Sequence, residues 1–136
     1  MIILDTSALY AYFRADDPDH VSVVDVMNSG RELVVSPYVV AELDYLLTRR
    51  AGTRAEIRML AELSSGAFEL PVLGAGDLIT CAEVIGRFPD QSIGVTDASL
   101  VVLADRYGTN RIATFDHRHF SVLRSLAGEP FELLPA

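Results

Sequence analysis

Four acidic residues stand where apolar segments stop or are interrupted. Asp5 ends the run Met1-Ile2-Ile3-Leu4, Asp116 ends Ile112-Ala113-Thr114-Phe115, and Glu42 and Asp97 break into helical apolar stripes. Burying those segments draws the four carboxylates towards one another. Like charges held beside a core lose hydration and repel each other, so the arrangement is costly unless a counter-charge is supplied. A divalent cation that prefers hard oxygen ligands, Mg²⁺ or Mn²⁺, is the usual one.

The chain alternates short apolar runs with amphipathic segments. Residues 2–5 read as a strand without polar alternation, as expected of a parallel strand buried on both faces. Thr6 or Ser7 is placed to cap a helix over Ser7–Phe13, Asp16-Asp17-Pro18 breaks it, and His20–Asn28 carries Val21, Val24 and Met27 at helical spacing before Gly30. A second strand is expected at 33–36. Ser36-Pro37 then opens a helix to about Arg50, with Val39, Leu43, Leu46 and Leu47 on its buried stripe and Gly52 after its end. Thr53 is placed to cap a further helix, Arg54–Ser64, with Ile57, Leu60, Ala61 and Leu63 inward and its arginines facing outward.

Phe68–Leu73 is strand-like, but Pro71 restricts it to an edge strand or a loop entry. Ala75–Phe88 reads as a helix ended by Pro89, and Thr96 is placed to cap the helix Asp97–Tyr107, closed by Gly108. Strands at 111–115 and 131–134 complete the pattern. Alternating strands and helices without a hairpin signal predict an α/β sandwich: a central parallel sheet of four or five strands flanked by helices. With 136 residues and no repeat or linker, residues 1–136 are expected to form a single domain.

Composition narrows the chemistry. The net charge of −8 argues against a broad basic surface for nucleic acid and fits a local acidic pocket that recruits cations. All eleven basic residues are arginine, so chemistry that requires a lysine is excluded. No apolar stretch is long enough to span a membrane, and Asp5 interrupts the N-terminal run before it can act as a signal core, so a cytoplasmic protein is expected. The lone cysteine, Cys81, falls in an apolar helical pattern and reads as a small buried hydrophobe.

In an open parallel sheet the ligand crevice lies outside the carboxyl ends of the strands. Asp5 and Asp116 occupy such ends. Asp97, three, four and seven residues before Leu100, Val101 and Ala104, projects from the buried side of the first turn of its helix, and Glu42 flanks the stripe containing Val39 and Leu46. Taken singly, Asp5 could be a helix cap, Asp97 a first-turn acid complementing the helix dipole, and Asp116 the start of a turn with His117. Glu42 has no capping role to explain it. A metal held by Asp and Glu near a cleft is a common apparatus for phosphodiester hydrolysis, which favours a metal-dependent nuclease. The spacing of His117, His119 and His20 matches no zinc site, and a solvated loop is expected there, with His117 or His119 a candidate for touching substrate phosphate. No nucleophile elbow or glycine-rich phosphate cradle is present.

The order of motifs, Ile-Ile-Leu-Asp5-Thr6-Ser7-Ala8, Val-Ala-Glu42-Leu, Val-Thr96-Asp97-Ala-Ser-Leu and Ala-Thr-Phe-Asp116 with Phe120 downstream, resembles the PIN-domain ribonucleases. In size it is similar to the VapC toxins of toxin–antitoxin pairs. The resemblance implies a PIN-like sandwich and an endoribonuclease. It also implies a Mg²⁺ or Mn²⁺ site built from Asp5, Glu42, Asp97 and Asp116, with Thr6 and Thr96 orienting the carboxylates. The partners it implies are an RNA substrate, a cognate VapB-type antitoxin and a second copy of the chain in a homodimer. Three rivals are weighed against it. A phosphate-signalling receiver needs a strand-end lysine, and a Mg²⁺-dependent phosphatase of the haloacid-dehalogenase type has an Asp where Ser7 stands. A catalytically inactive PIN-like interaction module would have no need of the intact acids.

Overall fold

The computed structural model describes residues 1–136. Four three-residue strands, β1 (Ile2–Leu4), β2 (Leu33–Val35), β3 (Arg111–Ala113) and β4 (Glu132–Leu134), form one sheet in the order β2-β1-β3-β4. Every pairing is parallel, with Ile3 opposite both Val34 and Ile112. The α/β expectation holds. β1 and β2 are fully buried, which is why their sequences are apolar at every position.

The chain leaves β1 for β2 on one side and later enters β3 on the other side of β1. The crossover direction therefore reverses at β1/β3, and such a switch point opens a crevice beyond the strand ends. Asp5 follows β1 directly, and its N–H extends the ladder to the Ala113 carbonyl at 2.9 Å.

Six helices pack around the sheet: α1 (Thr6–Phe13), α2 (His20–Met27), α3 (Pro37–Leu63), α4 (Ala75–Arg87), α5 (Val95–Tyr107) and α6 (His117–Phe120). α5 is the central one. All seven residues from Ala98 to Ala104 are buried, so this helix is enclosed on every side rather than along a stripe. Gly94, not Thr96, occupies its N-cap, which makes Asp97 the third residue of the helix, still within its first turn. Gly108 closes it in the left-handed conformation that glycine adopts without strain.

α3 merges the two helices expected at 37–50 and 54–64, with the break at Gly52 (φ 83°). In its second half Met59 and Leu63 are buried, whereas Ile57 and Leu60 are exposed, and Ala61 is exposed too. The change of direction at Gly52 resets the helical phase, so the inward face differs from the one that apolar spacing selects. Val21 is likewise exposed, with Val23 and Val26 taking its place in the core. The Phe68–Leu73 segment forms no strand; Glu69 alone bridges β2, donating to the Leu33 carbonyl at 2.8 Å and accepting from Val35 at 3.0 Å. Cys81 is buried, as its apolar setting requires. No helix is long and apolar enough to cross a membrane.

Candidate metal centre

A cleft of about 370 Å³ opens beyond the carboxyl ends of β1 and β3. Its lining brings together all four acids singled out in the sequence, Asp5, Glu42, Asp97 and Asp116, with Asp17 and Asp19 on the loop before α2. Leu46, expected in the core, is 40% exposed and forms part of this wall. Glu42 is also exposed, because nothing covers this flank of α3 where the cleft opens.

Asp5 is the buried floor of the cleft. Its Oδ2 accepts from the Thr114 hydroxyl at 2.7 Å and the Ser7 hydroxyl at 2.9 Å. Each hydroxyl has one proton, and both are committed to Asp5, so the 3.2 Å approach of Ser7 to Thr114 adds no bond. The same two oxygens accept from the backbone N–H groups of Phe115 and Asp116 at 2.9 Å each, which fixes the chain leaving β3 to the start of α1. Burial nevertheless dominates these hydrogen bonds and raises the Asp5 carboxyl above the ordinary aspartate range.

The hydroxyls that orient Asp5 are thus those of Ser7 and Thr114. Thr6, expected in that role, buries its hydroxyl without a partner. Ser7 turns its side chain back onto Asp5 instead of capping α1, and Asp5 occupies the N-cap position without a side-chain cap bond. Thr96 contributes its carbonyl rather than its hydroxyl: it accepts from Ser99 at 2.6 Å. That leaves the Ser36 hydroxyl to donate to Ser99 at 2.8 Å, tying the start of α3 to α5 and so placing Glu42 relative to Asp97.

Asp97 feels the other three of these four acids. Burial first and then the negative charge of Asp5, with lesser contributions from Asp116 and Glu42, push its carboxyl up to about 6, against an opposing effect of His119 that outranks those last two. His119, expected on a solvated loop, lies in α6 with its side chain 17% exposed, and its Nδ1 stands 3.0 Å from Asp97 Oδ2 and 3.2 Å from Asp116 Oδ2. The two His119 nitrogens are buried, and neither approach is a straight hydrogen bond. Asp116 also caps α6, its Oδ1 accepting from the His119 N–H at 3.2 Å. The spacing Asp-x-x-His at a helix start was the available signal for this contact.

As the side chains stand, no three acidic, histidine or cysteine groups close into a cage around a common point. The donor set still suits a hard divalent cation: carboxylate oxygens from four separate segments, around an Asp97 whose ionisation the neighbouring negative charge opposes.

Comparison with known proteins gives concordant results. The PIN domain family model matches residues 2–125. Ribonuclease VapC26 of Mycobacterium tuberculosis is 51% identical over 135 residues, which is 98% of this chain and 100% of that protein. The crystal structure of M. tuberculosis VapC20, described as a sarcin–ricin-loop-cleaving toxin, superposes with a TM-score of 0.79 at 25% identity, covering 85% of this chain and 90% of that one. VapBC2 of Rickettsia felis, crystallised on a promoter DNA fragment, matches in fold alone, with a TM-score of 0.70, 16% identity and 98% coverage of both chains.

Proposed function

The chain belongs to the PIN-domain family, and on that premise we propose that it is a metal-dependent endoribonuclease, the toxin of a VapBC-type toxin–antitoxin pair. The observation that carries this reading is the 51% identity to Ribonuclease VapC26, sustained along essentially the whole of both chains. Asp5, Glu42, Asp97 and Asp116, all on one cleft, would hold Mg²⁺, or Mn²⁺ in its place. When bound, the cation would lower the pKa of water for in-line attack on the phosphodiester and offset charge on the leaving oxygen.

The chain's own residues supply position and charge. Asp5, clamped by Ser7 and Thr114, is a carboxyl group fixed in position at the cleft floor. Asp97 is held at the end of a helix enclosed by the core, so its carboxylate cannot retreat from the site. Glu42, which has room to move on the exposed wall, or Asp116 would orient the attacking water. The acidic walls repel RNA phosphates in the absence of a cation, which makes substrate approach conditional on charge neutralisation.

The cognate VapB-type antitoxin and a second copy of the chain are the protein partners on this reading, residues 1–136 acting as one unit in the cytoplasm. Exposed Ile57, Leu60, Leu78 and Ile79 supply apolar surface for such contacts. The test is cleavage of structured RNA by purified protein with Mg²⁺. Wild type should cut and Asp97→Asn should not; equal cleavage by the two rejects the assignment.

A further inference from the structure

His119 has no role in the reading above, yet it reaches two of the proposed ligands at once. Its ring nitrogen Nδ1 lies between Asp97 Oδ2 at 3.0 Å and Asp116 Oδ2 at 3.2 Å. Its backbone N–H holds the other Asp116 oxygen at 3.2 Å. The ring cannot drift away, because Phe120 beside it is buried in the core and α6 is anchored through the Asp116 cap. Both ring nitrogens are removed from water. A half-buried imidazole set between two carboxylates from α5 and the end of β3 does not serve packing alone, since an apolar residue would fill that space without burying two polar nitrogens.

From this geometry we infer that His119 is a positioning residue of the metal site, resting on the metal-centre reading above: it ties one oxygen of Asp97 to one of Asp116, so that the pair meets the cation with its separation already set. Each carboxylate oxygen has two lone pairs, so the contact with His119 leaves both groups able to bind an ion. Groups that hold metal ligands from behind in this way change metal affinity by about 10–100-fold when removed. Without the imidazole, Asp97 and Asp116 repel across an open gap and must be brought together by the ion itself, which weakens binding.

The test uses the full chain without RNA: Mn²⁺ titration by calorimetry for wild type, His119→Ala, His119→Asn and Asp97→Asn, with melting temperatures of the metal-free proteins measured alongside. His119→Ala should bind Mn²⁺ about 10–100-fold more weakly at a melting temperature close to wild type. His119→Asn, whose side-chain amide can stand in for Nδ1, should recover most of the affinity. Wild-type affinity in His119→Ala, with Asp97→Asn impaired, overturns the positioning role and leaves the metal centre intact. Undiminished binding in Asp97→Asn overturns the metal centre and this role with it. Should His119→Ala fail to fold, His119→Asn decides: affinity closer to wild type than to Asp97→Asn supports the role, and a loss as large as that of Asp97→Asn overturns it.

Discussion

Replacing Asp97 by asparagine should make the metal-free protein more stable while abolishing its activity. The fold raises the Asp97 carboxyl from 3.8 to about 6, by burial and by the charges of Asp5, Asp116 and Glu42. At about 1.4 kcal/mol per pH unit, keeping it ionised at neutral pH costs the metal-free fold roughly 3 kcal/mol. Asparagine removes the charge and the repulsion, but it buries an amide and gives up the attraction to His119. The net gain is therefore about 1–3 kcal/mol, a rise in melting temperature on the order of 3–10 °C for a chain of this size. The pH dependence has a definite sign. A carboxyl whose folded pKa lies above its unfolded value gives stability that is fully present below about 3.8 and is lost as pH rises through about 6. Metal-free wild type should thus melt lower at pH 7.5 than at pH 5, and Asp97→Asn should show a flatter profile. Thermal unfolding followed by circular dichroism reads both effects. A variant that melts below wild type at pH 7.5, or that keeps the full wild-type pH dependence, refutes the electrostatic reasoning.

Adding Mg²⁺ at a hundredfold excess over its dissociation constant should stabilise wild type by about 2.7 kcal/mol and leave Asp97→Asn nearly unchanged, measured by calorimetric melting. Thr114→Val deprives the buried Asp5 oxygen of one donor and should cost about 1–3 kcal/mol in urea unfolding, with a loss of RNA cleavage that Thr114→Ser largely restores. Met59→Ala should cost about 2–5 kcal/mol and the nearby Ile57→Ala within about 0.5 kcal/mol, because the turn at Gly52 buries the first side chain and exposes the second. Equal costs for that pair would contradict the helical phase described above.

The sequence revealed the candidate site most clearly where local pattern and tertiary position coincide. Asp5 and Asp116 follow apolar runs, and in a parallel sheet those runs end at the crevice, so no knowledge of distant contacts was needed to place them. Asp97 was legible for the same reason, at the head of an apolar helix. Glu42 was legible as an acid beside an apolar stripe, but not as an exposed one, since periodicity cannot tell which flank of a helix a neighbouring element covers. Leu46 misled in the same way: apolar spacing put it in the core, and the cleft left it at the surface. The supports of the site were hidden. Thr114 reaches Asp5 across 109 residues and His119 reaches Asp97 across 22, separations that no local motif displays, whereas Ser7 lies two residues from Asp5 and His119 three from Asp116, close enough to read from a motif. The complete enclosure of α5 and the reduction of residues 68–73 to a single bridge at Glu69 are likewise products of packing, decided by neighbours remote in sequence.

A metal centre here requires carboxylates from separate segments to share a divalent ion. Crystals of the protein grown with Mn²⁺ and measured at a wavelength where manganese scatters anomalously address that directly. An anomalous peak is expected in the cleft within bonding distance of Asp5 and Asp97 oxygens, absent in Asp97→Asn. A protein that cleaves RNA under the same Mn²⁺ conditions but shows its peak away from those two residues would contradict that metal centre.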